Sequence, residues 1–317
     1  MTVTNITRAE AAERSALLSV SGYDVVVDLG LAGSPESASF PSTSTVRFTA
    51  REAGSTWIDV IASGVRRAVL DGDDLDVSAF TGTRLPLEVA AGEHVLVVEA
   101  DCQYMRTGEG LHRFFDPVDG AAYLYTQFEV ADARRMYACF DQPDLKAAYA
   151  FTVIAPDAWQ VVSNSPTPAP VPLGDGVSRW SFEATPRIST YITALVAGPY
   201  HVVRDEYVGP HGTYPLGVFC RASLAEHLDA DRILLETKQG FEFFESHFRT
   251  PYPFEKYDQL FVPEFNAGAM ENAGCVTILE DYIFRSRVTD YYFEQRSNTI
   301  LHELAHMWFG DLVTMTW

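Results

Sequence analysis

Hydrophobic and polar positions alternate with period two from about Ser19 to Gly198. Tyr23, Val25, Val27 and Leu29 share one face of an extended segment, and Val46, Phe48 and Ala50 share a face of another. Further runs rich in β-branched and aromatic residues are TWIDVIA, RRAVLDG, HVLVVEA, AAYLYTQF, YAFTVIA and STYITALVAG. Gly, Pro, Asn and Asp interrupt them at short intervals, the pattern of an antiparallel sandwich or saddle-like sheet assembly. Asp71-Gly72 is a hairpin turn signal. NSPTPAPVPLGDG, with four prolines, predicts a surface loop between two strands.

After about Tyr200 the texture changes. LAEHLDADRILLETKQGFEFFESHF carries Ile233, Leu234, Phe241, Phe244 and Phe248 at helical spacing, and Thr250-Pro251 is expected to end the helix. One short strand, QLFVP, and a glycine-bearing stretch follow. A second helical run extends from about Thr289 to Phe309, with Gly310 placed to terminate it. The chain therefore reads as α+β and multidomain, with a β domain at 1–200 and the start of an α-rich domain at 201–317. A length of 317 residues and a mass of 35.2 kDa agree with two cores rather than one.

Charge and cysteine usage narrow the partners. A net charge of −20 argues against nucleic acid and anionic membrane surfaces, which need Lys and Arg to neutralise phosphate. No apolar run approaches the ~20 residues of a membrane span, and the polar start MTVTNITRAEAAERSALL lacks the features of a signal peptide. Asn5-Ile6-Thr7 fits a glycosylation sequon, but without a secretory signal it carries no weight. Cys102, Cys139, Cys220 and Cys275 form no Cys-x-x-Cys pair, so free thiols in a reducing cytoplasm are expected.

Candidate chemistry appears at the end of the second helix, in His302-Glu303-x-x-His306. Histidines four apart on a helix leave the same face, the arrangement one zinc ion needs. Glu303 is then placed to take a proton from water activated by the metal, as a general base. Such a site uses three protein ligands, and two are visible. The metzincin variant is excluded, because Phe309 and Leu312 stand where it needs Gly and a third His. Two helical histidines beside a solvated glutamate would give the same letters, so a second signal is needed.

Phe265-Asn266-Ala267-Gly268-Ala269-Met270-Glu271-Asn272-Ala273-Gly274 supplies it. Small residues let another backbone approach, and a strand edge of this kind accepts an extended peptide through main-chain hydrogen bonds. Glu271 would then offer a carboxylate to a peptide's ammonium group.

With GAMEN at Gly268 to Asn272 followed by HELAHMWFGDLVT, the chain closely resembles the aminopeptidase N family of gluzincin metallopeptidases. YLYTQFEVADARRMYACFDQPDLKA, RISTYITALVAGPY and PYPFEKYDQLFVP are also similar to that family, so the resemblance runs from about Arg8 onward. It implies an exopeptidase releasing single residues from peptides with a free N-terminus. It also implies a saddle-like antiparallel N-terminal β domain and the incomplete start of a thermolysin-like catalytic domain. Under it, His302 and His306 match zinc ligands and Glu303 the general base. Gly268, Ala269, Met270, Glu271 and Asn272 match the substrate-binding strand, with Glu271 anchoring the α-ammonium. Gln127 and Glu129 match the N-terminal domain's share of the amine pocket; without the resemblance, both read as ordinary strand polarity.

The family's third ligand is a glutamate nineteen residues beyond the second histidine, which would be position 325, past Trp317. The family's transition-state tyrosine lies further on. The chain is therefore expected to be the amino-terminal fragment of a longer zinc enzyme and inactive alone. Asp311, the nearest downstream carboxylate, has no predicted reason to point back at the metal. A related epoxide hydrolase/aminopeptidase branch carries Gly-Gly-Met-Glu-Asn, and Ala269 argues against it. A non-catalytic binding or scaffold module with the same fold remains the alternative, against which the intact His302, Glu303 and His306 stand.

Overall fold

The computed structural model describes residues 5–317 and begins with a helix that the strand-dominated reading above does not contain. In α1 (Arg8–Leu17), Thr7 Oγ1 accepts from the Glu10 amide at 3.2 Å while Glu10 Oε2 accepts from the Thr7 amide at 2.8 Å. This reciprocal capping box satisfies two amides that the first turn leaves without partners. The helix docks through Arg14, which is buried with Asp59 at 2.6 Å and also donates to Gln142 Oε1 at 3.0 Å. Thr7→Ala is expected to cost about 1 kcal/mol. A urea midpoint that does not fall would show that the cap contributes nothing.

Leu18–Asp28 and Ala148–Pro156 bury alternate positions, as period-two patterning requires. They sit at the centre of an eight-stranded sheet ordered Val171–Gly174, Val177–Ser181, Ala148–Pro156, Leu18–Asp28, Ser39–Ala50, Gly92–Gln103, Gly64–Leu70, Asp73–Asp74. A four-stranded sheet runs Gln160–Ser163, Leu195–Gly198, Ala122–Gln127, Gly110–Phe115, and Gly54–Asp59 pairs with Arg84–Val89. The expectation of a wholly antiparallel assembly is corrected at one place. Leu18–Asp28 and Ala148–Pro156 run parallel, in register from Gly22 with Ala148 to Asp28 with Ile154. The intervening strands form the long crossover that a parallel pair requires.

Asp71 and Gly72 do form the turn between Gly64–Leu70 and Asp73–Asp74. NSPTPAPVPLGDG is not loop throughout, because Val171–Gly174 forms an exposed edge strand paired with Val177–Ser181. An edge position tolerates Pro172, which has no amide to donate. Similarly, STYITALVAG opens with a 3₁₀ turn at Thr190–Ile192 before its strand.

Beyond residue 200 the expected single strand is one of five. The sheet is ordered His201–Gly209, Gly212–Cys220, Tyr257–Val262, Cys275–Leu279, Ala269–Met270. Tyr257–Val262 is buried at every position and Cys275–Leu279 at all but its last, so neither alternates. Covered on both faces, such strands read as apolar runs without a period. α2 (Ala230–Phe248) ends at Arg249, which adopts the left-handed conformation, one residue before the expected stop. α3 (Asp290–His306) packs on α2 and ends at His306 rather than running on to Phe309. No helix among the described residues is long and apolar enough to cross a membrane.

Candidate active site

α3 buries Arg296, Ile300, Glu303 and Leu304, a stripe at helical spacing, so Glu303 is turned inward at 4% exposure. His302 and His306 leave the adjoining face, and their Nε2 atoms stand 3.0 Å apart. His306 Nδ1 lies 2.8 Å from the Phe309 carbonyl, which can only accept, so the hydrogen sits on Nδ1 and the Nε2 lone pair faces His302. Gly310 closes the chain back over this ring with φ at 132°, where a Cβ would lie 3.0 Å from His306 Nδ1. A larger residue there would be strained and would press on the imidazole.

Ala269–Met270 lies opposite, at the edge of the five-stranded sheet, pairing with Ile278 and Thr277 on one side. A Cβ on Gly268 would meet nothing within 4 Å, so the approach to this edge is open. Met270 is buried and its Sδ accepts from Gln127 Nε2 at 3.5 Å, while Gln127 Oε1 is buried without a partner. Asn272 is fully buried and donates to Thr277 Oγ1 at 3.3 Å, on the neighbouring strand of the sheet.

Glu271, Glu303 and His306 offer ligand atoms within 4.8 Å of one another, and Glu271 Oε1 is 4.0 Å from His306 Nδ1. Burial, then the carboxylates of Glu271 and Glu129, push Glu303 up to about 8. Glu129 is raised by partial desolvation of its carboxyl and by Glu271, with His306 opposing. Glu303 Oε2 has no hydrogen-bond partner. Three mutually repelling carboxylates beside two imidazoles form a site whose electrostatics call for cations.

Asp311, for which the sequence offers no reason to point back at the metal, lies close enough to Glu271 and Glu303 to feel both carboxylates. It is 1% exposed, donates its amide to the His306 carbonyl at 3.1 Å, and has neither carboxylate oxygen hydrogen-bonded. Burial, then Glu271, hold it well above the ordinary carboxylate range, with Glu303 adding and Lys146 opposing. Its loop is tied to the β region by Lys146, which donates to the Asp311 carbonyl at 2.8 Å, and by Tyr191, which donates to the Gly310 carbonyl at 3.2 Å. Contacts of this kind join residues more than a hundred positions apart and leave no local signal.

The family description "Peptidase M1 N-terminal domain" matches residues 96–192, and "Peptidase family M1 domain" matches residues 233–317. The chain is 57% identical over 317 residues to Aminopeptidase N of Streptomyces lividans, covering 99% of this chain and 36% of that protein. It is 32% identical over 268 residues to Aminopeptidase N of Acetobacter pasteurianus, covering 81% of this chain and 72% of that protein. Against Aminopeptidase N of Homo sapiens the identity is 31% over 306 residues, 88% of this chain and 31% of that protein. The chain thus spans about a third of the length of its Streptomyces relative. With both family descriptions matched in order, and an architecture of β sheets followed by the helix that carries HELAH, the chain belongs to the peptidase M1 family.

Proposed function

We propose that these residues form the amine-binding and metal-binding part of a zinc aminopeptidase acting on peptides with a free N-terminus. The observation that carries this reading is the convergence of two imidazole Nε2 atoms, 3.0 Å apart, beside a carboxylate cluster and an open strand edge. The residues fit zinc. Two bonds of about 2.0–2.1 Å at a tetrahedral centre separate their nitrogens by about 3.3 Å, close to the separation here. His302 and His306 would hold it. When bound, zinc supplies a Lewis acid that acidifies water and polarises a carbonyl.

The chain's own residues do the rest. Glu303, inward on α3 with Oε2 unpaired, takes the proton of the attacking water and returns it to the departing amine. Ala269–Met270 receives the substrate backbone along its free edge. Glu271 and Glu129 hold the α-ammonium, and Gln127 Oε1 adds a neutral acceptor. The −20 charge suits a cationic ligand and opposes nucleic acid and anionic membranes. Four buried free thiols agree with a cytoplasmic setting. A domain boundary near residue 200 completes the proposal, since among the described residues no strand ladder crosses it.

The test is a hybrid in which these 317 residues replace the matching part of the Streptomyces relative. It should hold one zinc, cleave aminoacyl arylamides, and lose the activity on chelation and regain it with zinc. The 317-residue chain alone, with two imidazole ligands among its described residues, should lose zinc on dialysis. One zinc retained by the chain alone would make Glu271 or Glu303 a ligand and remove it from the role given above.

A further inference from the structure

Ala269–Met270 is paired over only two residues, too short a ladder to fix an edge against which a substrate is to be aligned. Its flanks, however, are fastened to the β region on both sides. Upstream, fully buried His112 accepts from the Gly108 amide through Nδ1 at 3.1 Å, which leaves the hydrogen on Nε2 to donate to Glu264 Oε2 at 3.1 Å. Tyr125 stacks on His112 at 4.8 Å and donates its hydroxyl to the Glu264 carbonyl at 3.1 Å. Asn266 donates to the Thr107 carbonyl, and a Cβ on Gly108 would collide with the Asn266 side chain.

Downstream, buried Asn164 donates to the Ile192 and Ala273 carbonyls, both at 2.9 Å, and accepts from the Ala194 amide at 2.9 Å. The Ala273 amide donates to the Ile192 carbonyl at 3.2 Å. Three of Asn164's four hydrogen-bonding positions are thereby used, and one of them, with the Ala273 amide's own bond to Ile192, bridges the β region to the residue after GAMEN.

We infer that His112 and Asn164 are positioning residues that clamp the substrate strand from both ends, making the N-terminal β region part of the substrate-binding apparatus. The inference rests on the aminopeptidase reading for its kinetic consequence but not for the clamp itself. Neither residue touches the reacting atoms. Each acts through the backbone on either side of Gly268 to Asn272, so its loss should loosen substrate alignment more than it slows the bound substrate's chemistry.

Three substitutions test it. Glu264→Ala removes the acceptor of His112 at a side chain 55% exposed, where folding is spared. Glu264→Gln keeps an acceptor for a neutral imidazole. Asn164→Asp keeps the shape but replaces two donated hydrogens with a carboxylate facing two carbonyls. In the 317-residue chain, hydrogen exchange at 264–274 should rise at least about tenfold in Glu264→Ala and Asn164→Asp, stay near wild type in Glu264→Gln, and leave Leu18–Asp28 unchanged. In the hybrid, the first two should raise KM about tenfold with kcat within about threefold, and Glu264→Gln should restore KM. Unchanged exchange in both loss variants overturns the clamp, and faster exchange with unchanged KM overturns its role in substrate alignment. A wild-type hybrid without aminopeptidase activity removes the functional reading, and exchange then decides the clamp alone.

Discussion

Glu303→Gln in the hybrid is expected to lower kcat by about 10²–10⁴-fold while zinc content stays at wild-type level. The substitution keeps the shape of a side chain that is 4% exposed and sits on the buried stripe of α3, so the helix and the register of His302 and His306 are preserved. Burial and the neighbouring carboxylates of Glu271 and Glu129 already favour the neutral form of Glu303, so a neutral amide adds no repulsion and the fold has no electrostatic reason to weaken. What is lost is the one group placed to accept a proton beside the imidazole pair. KM should change little, because no substrate-holding contact is assigned to this carboxylate. Near-wild-type turnover would move the proton-accepting role to another carboxylate of the cluster. Zinc lost along with activity would instead make Glu303 a ligand.

The legibility of this site follows from the range of the forces that build it. His302 and His306 are four residues apart on one helix with Glu303 next to the first, so their geometry is set by helical pitch and can be read from spacing alone. Glu271 was legible through the run of small residues that keeps its strand edge open. Its nearness to Glu303 and His306 is a tertiary fact. His112 and Asn164 were not legible, because their partners lie 152 and 109 positions away and nothing in their neighbours distinguishes them from other buried polar residues.

The fold divides in the same way. Leu18–Asp28 and Ala148–Pro156 have one covered face and announce themselves by alternation, whereas Tyr257–Val262 and Cys275–Leu279 are covered on both and do not. The parallel pairing of the first two is also invisible locally, since strand direction is fixed by the path of the chain between them. α1 was signalled by Thr7-x-x-Glu10, a capping pattern that carries no apolar stripe behind it and is easily passed over.

Glu271→Ala in the hybrid should reduce kcat/KM at least about a hundredfold toward substrates with a free amine. Glu271 follows the open edge Ala269–Met270, its side chain is only 13% exposed, and its carboxylate approaches His306 to 4.0 Å. A substrate laid along that edge with its scissile carbonyl beside the imidazole pair brings its α-ammonium into the reach of Glu271 and Glu129. Removing one carboxylate from a desolvated charge pair costs about 2–5 kcal/mol, and the lower end of that range already corresponds to about thirtyfold. Alignment carries the loss further, since the ammonium contact also fixes where the carbonyl sits relative to Glu303. The same argument requires the unmodified hybrid to reject N-acetylated peptides, whose neutral amide would leave both carboxylates desolvated and without a cation. Glu271→Gln, which keeps an acceptor but not the charge, should fall between wild type and Glu271→Ala. Comparable kcat/KM for free and acetylated peptides, or a Glu271→Ala hybrid close to wild type, would show that this carboxylate does not read the amine.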